Sequence, residues 1–177
     1  MSQFEALVRS RYFSGQLLSV DDFAREQAYT LGRLRRRNRF LSGWGVVAGL
    51  GVSVEPGDTV VVQPGMAIDC AGNEVIVEAA ARLVLAGLSG RQHVLLSYLE
   101  IDEAAVALAT GLQEFSRVRE SSRLEVSPLN PAAGHRAMGC GTPGCGRAHG
   151  VGIAVLSQKN LRWRVASSLR PIKSARR

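Results

Sequence analysis

Aromatic residues are scarce in this chain: Phe, Trp and Tyr together make up 6% of it. Proteins that hold single-stranded nucleic acid stack successive bases on aromatic rings, so this supply argues against such a platform. Cysteine is scarcer still, with three residues. Three thiols cannot close the disulfide set on which small secreted domains depend, so a reducing, cytoplasmic setting is expected. No apolar run approaches the roughly 20 residues that cross a bilayer as a helix. The opening Met1-Ser2-Gln3-Phe4-Glu5 lacks the basic-then-apolar order of a secretory signal. Also missing is any grouping of nucleophile, base and oxyanion donor. The glycine pairs Gly43/Gly45 and Gly49/Gly51 are not followed by the helix that a phosphate loop needs. The chain therefore reads as non-enzymatic, with a small hydrolase ranked last.

What is present is enough for one domain, or a small domain with an appendage: 177 residues, 46% hydrophobic, with 19 glycines that point to many tight turns. The net charge of +7 is unevenly spread. Residues 1–44 hold eight Arg against four acids (+4), residues 45–110 two Arg against eight acids (−6), and residues 111–177 twelve Lys or Arg against three Glu (+9). A basic–acidic–basic chain can attract copies of itself, an acidic neighbour or nucleic acid.

The expected fold class is α+β, mainly β. Residues 1–43 read as an N-terminal arm and an Arg-rich helix. Ser19 is a good N-cap, and Asp21 and Asp22 in the first turn suit the positive end of the helix dipole. Phe23, Gln27, Leu31, Leu34, Asn38 and Leu41 recur at spacings of three to four, one helical stripe, and Ser42-Gly43 closes the helix. From Trp44 the period changes to two. Val46–Val54, Thr59–Gln63, Met66–Cys70, Glu74–Val77, Leu83–Leu85, Val94–Ile101, Val151–Leu156 and Leu161–Val165 read as strands parted by turn residues. Ala104–Leu112 fits either helix or strand. Residues 44–165 are thus a β-sandwich or barrel-like domain with a Gly-rich loop at 127–150, and residues 166–177 a basic tail.

Tyr12-Phe13-Ser14-Gly15-Gln16-Leu17-Leu18, Asp21-Asp22-Phe23, Gly43-Trp44-Gly45-Val46-Val47-Ala48-Gly49-Leu50 and Pro64-Gly65-Met66-Ala67-Ile68-Asp69 occur in a fixed order. Together they resemble a family of structural proteins of phage-tail-like contractile injection systems, associated with baseplates, fibres or caps. The resemblance is good over residues 12–78 and departs at Ser42, where a His is expected. It implies a structural role, with partners among the other subunits of such an assembly and self-association. On that reading Tyr12, Phe13, Phe23, Arg33, Arg36, Arg37 and Trp44 are the docking residues.

Other residues carry competing readings. Five Arg and no Lys between Arg33 and Arg39 favour a protein interface, since guanidinium forks match carboxylates bidentately. A solvated face, or phosphate neutralisation on nucleic acid, is the alternative. His135, Cys140, Cys145 and His149 form H-x4-C-x4-C-x3-H, four ligand types that a structural zinc accepts. The alternatives are a loop with incidental thiols or a Cys140–Cys145 disulfide. Cys70 reads as a small buried residue, His93 as a core or rim histidine, Asp69 and Glu74 as surface turn acids, and Trp44 also as the residue that packs helix on sheet.

Overall fold

The computed structural model describes residues 6–135 and 144–169 of the chain. Residues 6–18 run as an extended arm with one turn at Ser14-Gly15, where the Gln16 N–H donates to the Phe13 carbonyl at 3.2 Å. Helix α1 (Val20–Arg37) starts at Ser19 in a capping box. The Ser19 hydroxyl accepts from the Asp22 N–H at 3.3 Å, and the Asp22 carboxylate accepts from the Ser19 N–H at 3.0 Å. Two orphan donors of the first turn are thereby satisfied, and the hydrogen bonds that the carboxylate accepts from the Ser19 N–H and, at 2.7 Å, from the Ser19 hydroxyl hold the Asp22 pKa below the usual carboxylate value. The helix passes into one π-helical turn, Asn38–Ser42, which Gly43 ends at φ 84° by donating to the Asn38 carbonyl at 2.9 Å.

The expected apolar stripe forms but does not face the body of the protein. Phe23, Leu31, Leu34 and Leu41 are 54%, 38%, 43% and 62% exposed, and among the stripe residues only Asn38 is buried. The opposite side of α1 is the one that is covered. There the small Gly32 admits Leu7 of the arm, and the Ser10 hydroxyl donates to the Asp22 carbonyl at 2.9 Å. Shape rather than hydrophobicity decides which side the arm takes.

Ten strands follow among the described residues: β1 (Gly45–Gly49), β2 (Val52–Glu55), β3 (Thr59–Val62), β4 (Gly65–Ile68), β5 (Glu74–Val77), β6 (Ala81–Val84), β7 (Arg91–Ala107), β8 (Gln113–Ser127), β9 (Val151–Lys159) and β10 (Arg162–Ser168). They make three antiparallel sheets, ordered β1-β4-β5, β2-β3-β6 and β10-β9-β7-β8. No sheet closes into a barrel among the described residues. Val46, Val60, Val62, Val75 and Val77 from the two smaller sheets meet Val94, Leu96, Val151, Ile153, Leu156 and Trp163 from the larger one in a single core. The last strand reaches Ser168, so residues 166–168 belong to the sheet rather than to the basic tail. Residues 170–177 lie outside the described residues.

Two features exceed what periodicity suggests. Ala104–Leu112 is the outer end of a hairpin, because β7 and β8 pair continuously from His93↔Ser127 to Ala107↔Gln113. Beyond Tyr98 this ribbon leaves the body, and Leu99, Val106, Phe115 and Val118 are all exposed. The chain then travels from the end of β8 to β9, on the far side of β7, through the long connection 128–150.

The body and the ribbon should respond differently to truncation. Leu96→Ala, at a fully buried position, is expected to cost about 2–5 kcal/mol by urea denaturation. Leu99→Ala, three residues along the same strand but 39% exposed, is expected to cost less than about 1 kcal/mol.

Candidate functional site

The β4–β5 turn is built around Asp69, which is buried, not a surface turn acid. Its carboxylate accepts from the Ala71 N–H at 2.9 Å, the Asn73 N–H at 2.9 Å and the Asn73 side-chain amide at 2.8 Å. Three donors compensate the desolvation of one buried acceptor group. The turn residue Gly72 has φ 93°, and a Cβ there would meet the Arg35 carbonyl oxygen at 2.2 Å. The end of α1 thus lies directly on the turn. Asn38 fastens it, its amide donating to the Gly72 carbonyl at 3.0 Å and to Glu74 at 3.2 Å.

The same turn carries Cys70, which is fully buried beside Trp44 and Ala132. Two segments of the 128–150 connection converge on it. The Gly146 N–H donates to the Cys70 carbonyl at 3.1 Å, and Gly144 packs so closely that a Cβ would meet Cys70 Cα at 2.5 Å. Arg39 reaches across from the π-helical turn to donate to the Gly144 carbonyl at 3.3 Å. Cys70, His135, Cys145 and His149 consequently present one ligand atom each, all within 4.8 Å of one another. Cys70 Sγ lies 3.3 Å from His135 Nδ1, and Cys145 Sγ lies 3.4 Å from His149 Nε2. The imidazoles sit 4.9 Å apart, and Trp44 stands edge-on to His135 at 5.2 Å. Burial pushes the Cys70 thiol up to about 12.

Three of the four residues placed together by sequence spacing are therefore together. Cys140 lies outside the described residues, and among the described residues Cys70 joins the other three. Local spacing has no access to a partner 65 residues upstream, and the usable signal was only that a third cysteine closed a turn. His93 is a rim residue of β7, its pKa lowered by burial and by Arg91.

The predicted docking residues divide. Tyr12 and Phe13 of the arm and Phe23 of α1 are 49%, 70% and 54% exposed. Trp44 is 4% exposed and is spent on internal packing, the other role its position between glycines suggests. Arg33, Arg36 and Arg37 line an open groove on α1 with Leu7, Tyr29, Phe40 and Leu41. Arg33 lies over the Tyr29 ring at 5.7 Å. Arg35 turns inward instead, to Glu100 at 3.4 Å and over Tyr98 at 5.9 Å. The acidic middle segment thus supplies a carboxylate to one arginine of the cluster.

No family model matches this sequence, and no curated protein matches it. Among solved structures the chain is similar to the crystal structure of TssK, at 13% identity and a TM-score of 0.47. The match covers 90% of this chain and 41% of that one, so the chain spans less than half of the structure it resembles.

The contact between helix end and turn makes a sharp prediction. Gly72→Ala should displace α1 from the sheet, because it combines a positive φ with a backbone collision. Limited trypsin digestion should then cut at Arg35–Arg39 several-fold faster than in the parent protein, while Gly57→Ala, also at positive φ but with open space around it, should leave that rate unchanged.

Proposed function

We propose that the chain is a non-enzymatic structural subunit of a phage-tail-like contractile particle, docked on its neighbours through the N-terminal arm and α1. The observation that carries this reading is the outward face of α1. A stripe of Phe23, Leu31, Leu34 and Leu41 stands in solvent beside an apolar groove lined by three arginines. Contiguous exposed apolar surface of this kind marks an interface, and the ordered motifs over residues 12–78 point to the same class of assembly.

The arginines call for carboxylates, and the ribbon carries them on one face. Glu100 and Glu120 stand opposite each other across β7 and β8, with Asp102 and Glu114 further out. Like charges facing each other across strands destabilise the pairing, even with the Tyr98 hydroxyl 2.8 Å from Glu100 and 3.1 Å from Glu120, so a cation is favoured there. Within the chain Arg35 answers one of them, and a second copy of α1 suits the others. Nucleic acid is the less favoured partner, since Arg35 and Arg39 are drawn into the chain's own contacts.

The double variant Leu31→Asp/Leu34→Asp should fold with a circular dichroism spectrum and a melting midpoint close to the parent's, because both positions are exposed. It should be absent from purified particles. Incorporation at the parent level would sink the docking claim. Arg33→Glu/Arg36→Glu/Arg37→Glu should likewise fold and fail to incorporate. If that variant instead assembles normally but loses salt-sensitive retention of duplex DNA, the accessory nucleic-acid reading replaces this one.

A further inference from the structure

The geometry points to a structural zinc site formed by Cys70, His135, Cys145 and His149, which pins the 128–150 connection to the β4–β5 turn. Tetrahedral zinc with Zn–S of about 2.3 Å and Zn–N of about 2.0–2.1 Å has S···N edges of roughly 3.6 Å. Two of the four S···N pairs, Cys70–His135 at 3.3 Å and Cys145–His149 at 3.4 Å, are already near that spacing. All four ligand atoms lie within 4.8 Å of one another, close to the roughly 3.8 Å of the longest edge of such a tetrahedron.

The surroundings are those of a ligand set. His149 Nδ1 is 3.2 Å from the Gly150 carbonyl. A proton on Nδ1 donated to that oxygen leaves Nε2, the atom facing Cys145, with its lone pair free to bind metal. His135 packs against the Trp44 ring in a T-shaped contact. Two thiolates and two neutral imidazoles bring a divalent cation to zero net charge, which suits a position where Cys70 is fully buried and both imidazoles are half-buried. Mixed thiolate and imidazole donors in a tetrahedral arrangement select zinc among common divalent metals. With four protein ligands the site has no open position, so its role is structural.

The connection explains the need. A connection as long as 128–150, whose described residues hold neither helix nor strand, is uncommon in a compact domain unless something anchors it. Its apolar anchorage is slight among the described residues, with Ala132 the buried apolar side chain it adds to the small cluster around Trp44. The ligands come from both sides of the connection and from a rigid turn, so a single ion replaces the missing core. The site stands apart from the docking face, and either reading survives failure of the other.

The test uses the full chain, purified under reducing conditions without chelator or a polyhistidine tag, with metal measured by plasma mass spectrometry. About one zinc per chain is expected, falling at least tenfold in Cys145→Ser and in His149→Ala, whose ligand residues lie outside the core. Cys140→Ser should retain zinc. Replacement by cobalt should give the visible absorption bands of a tetrahedral thiolate site, lost in Cys145→Ser. Iodoacetamide should label Cys70 and Cys145 only after a chelator is added. Reduced parent protein that is zinc-free and takes up no cobalt overturns the proposal. So does zinc that persists in both ligand variants, or that leaves in Cys140→Ser.

Discussion

One buried carboxylate organises the region where helix, sheet and connection meet. Asp69 takes three hydrogen bonds from its own turn, and with them it sets the backbone path from Cys70 to Asn73. Everything nearby is positioned against that path. Gly72 offers a flat patch to Arg35, the Cys70 carbonyl receives the Gly146 N–H, and the Cys70 side chain points to the two imidazoles and the second thiol. An apolar side chain in place of Asp69 would leave three donors, two of them buried, without an acceptor, and each such loss is expensive in a water-poor site.

This arrangement gives the helix an unusual part. α1 contributes its end to the body of the protein and keeps its apolar side outside. Its stability rests on the capping box at Ser19, on the arm lying along Gly32, and on Asn38 and Arg39 at the far end. A helix held at both ends can leave its hydrophobic stripe exposed at little cost to its own folding. Surface that the monomer does not need is then free for a neighbour.

The sequence was most informative where the determinants are local. Ser19, Asp21 and Asp22 announce the helix start because capping acts within one turn, and Gly57, Gly72 and Asn160 mark hairpins because each takes a positive φ. The direction of the helix stripe was not legible, since a helical period says which residues share a face but not what covers it. The ribbon was blurred for a related reason. Ser116–Val126 does alternate apolar and charged residues, with Val118, Leu124 and Val126 in step, but both faces of β8 meet water over most of its length, so charged residues stand on either side and the extent of the strand is not announced. The thiol–imidazole cluster was readable in three of its members, which lie within fifteen residues of each other in the sequence. Its fourth arrives through tertiary folding.

The ribbon has a mechanical consequence. β7 is one unbroken strand shared by the body and the projection, so a push at the tip near Gly111 is carried as bending along a hydrogen-bonded beam. The beam is wide at its root, where β7 is flanked by β8 on one side and by β9 as far as Leu96 on the other, and narrow beyond it. Stress must gather where the width changes, at Ser97–Leu99. Glu100 and Tyr98 sit at that fulcrum, and Arg35 of α1 reaches both. Arg35 thereby ties the root of the lever to the end of the helix that rests on the β4–β5 turn.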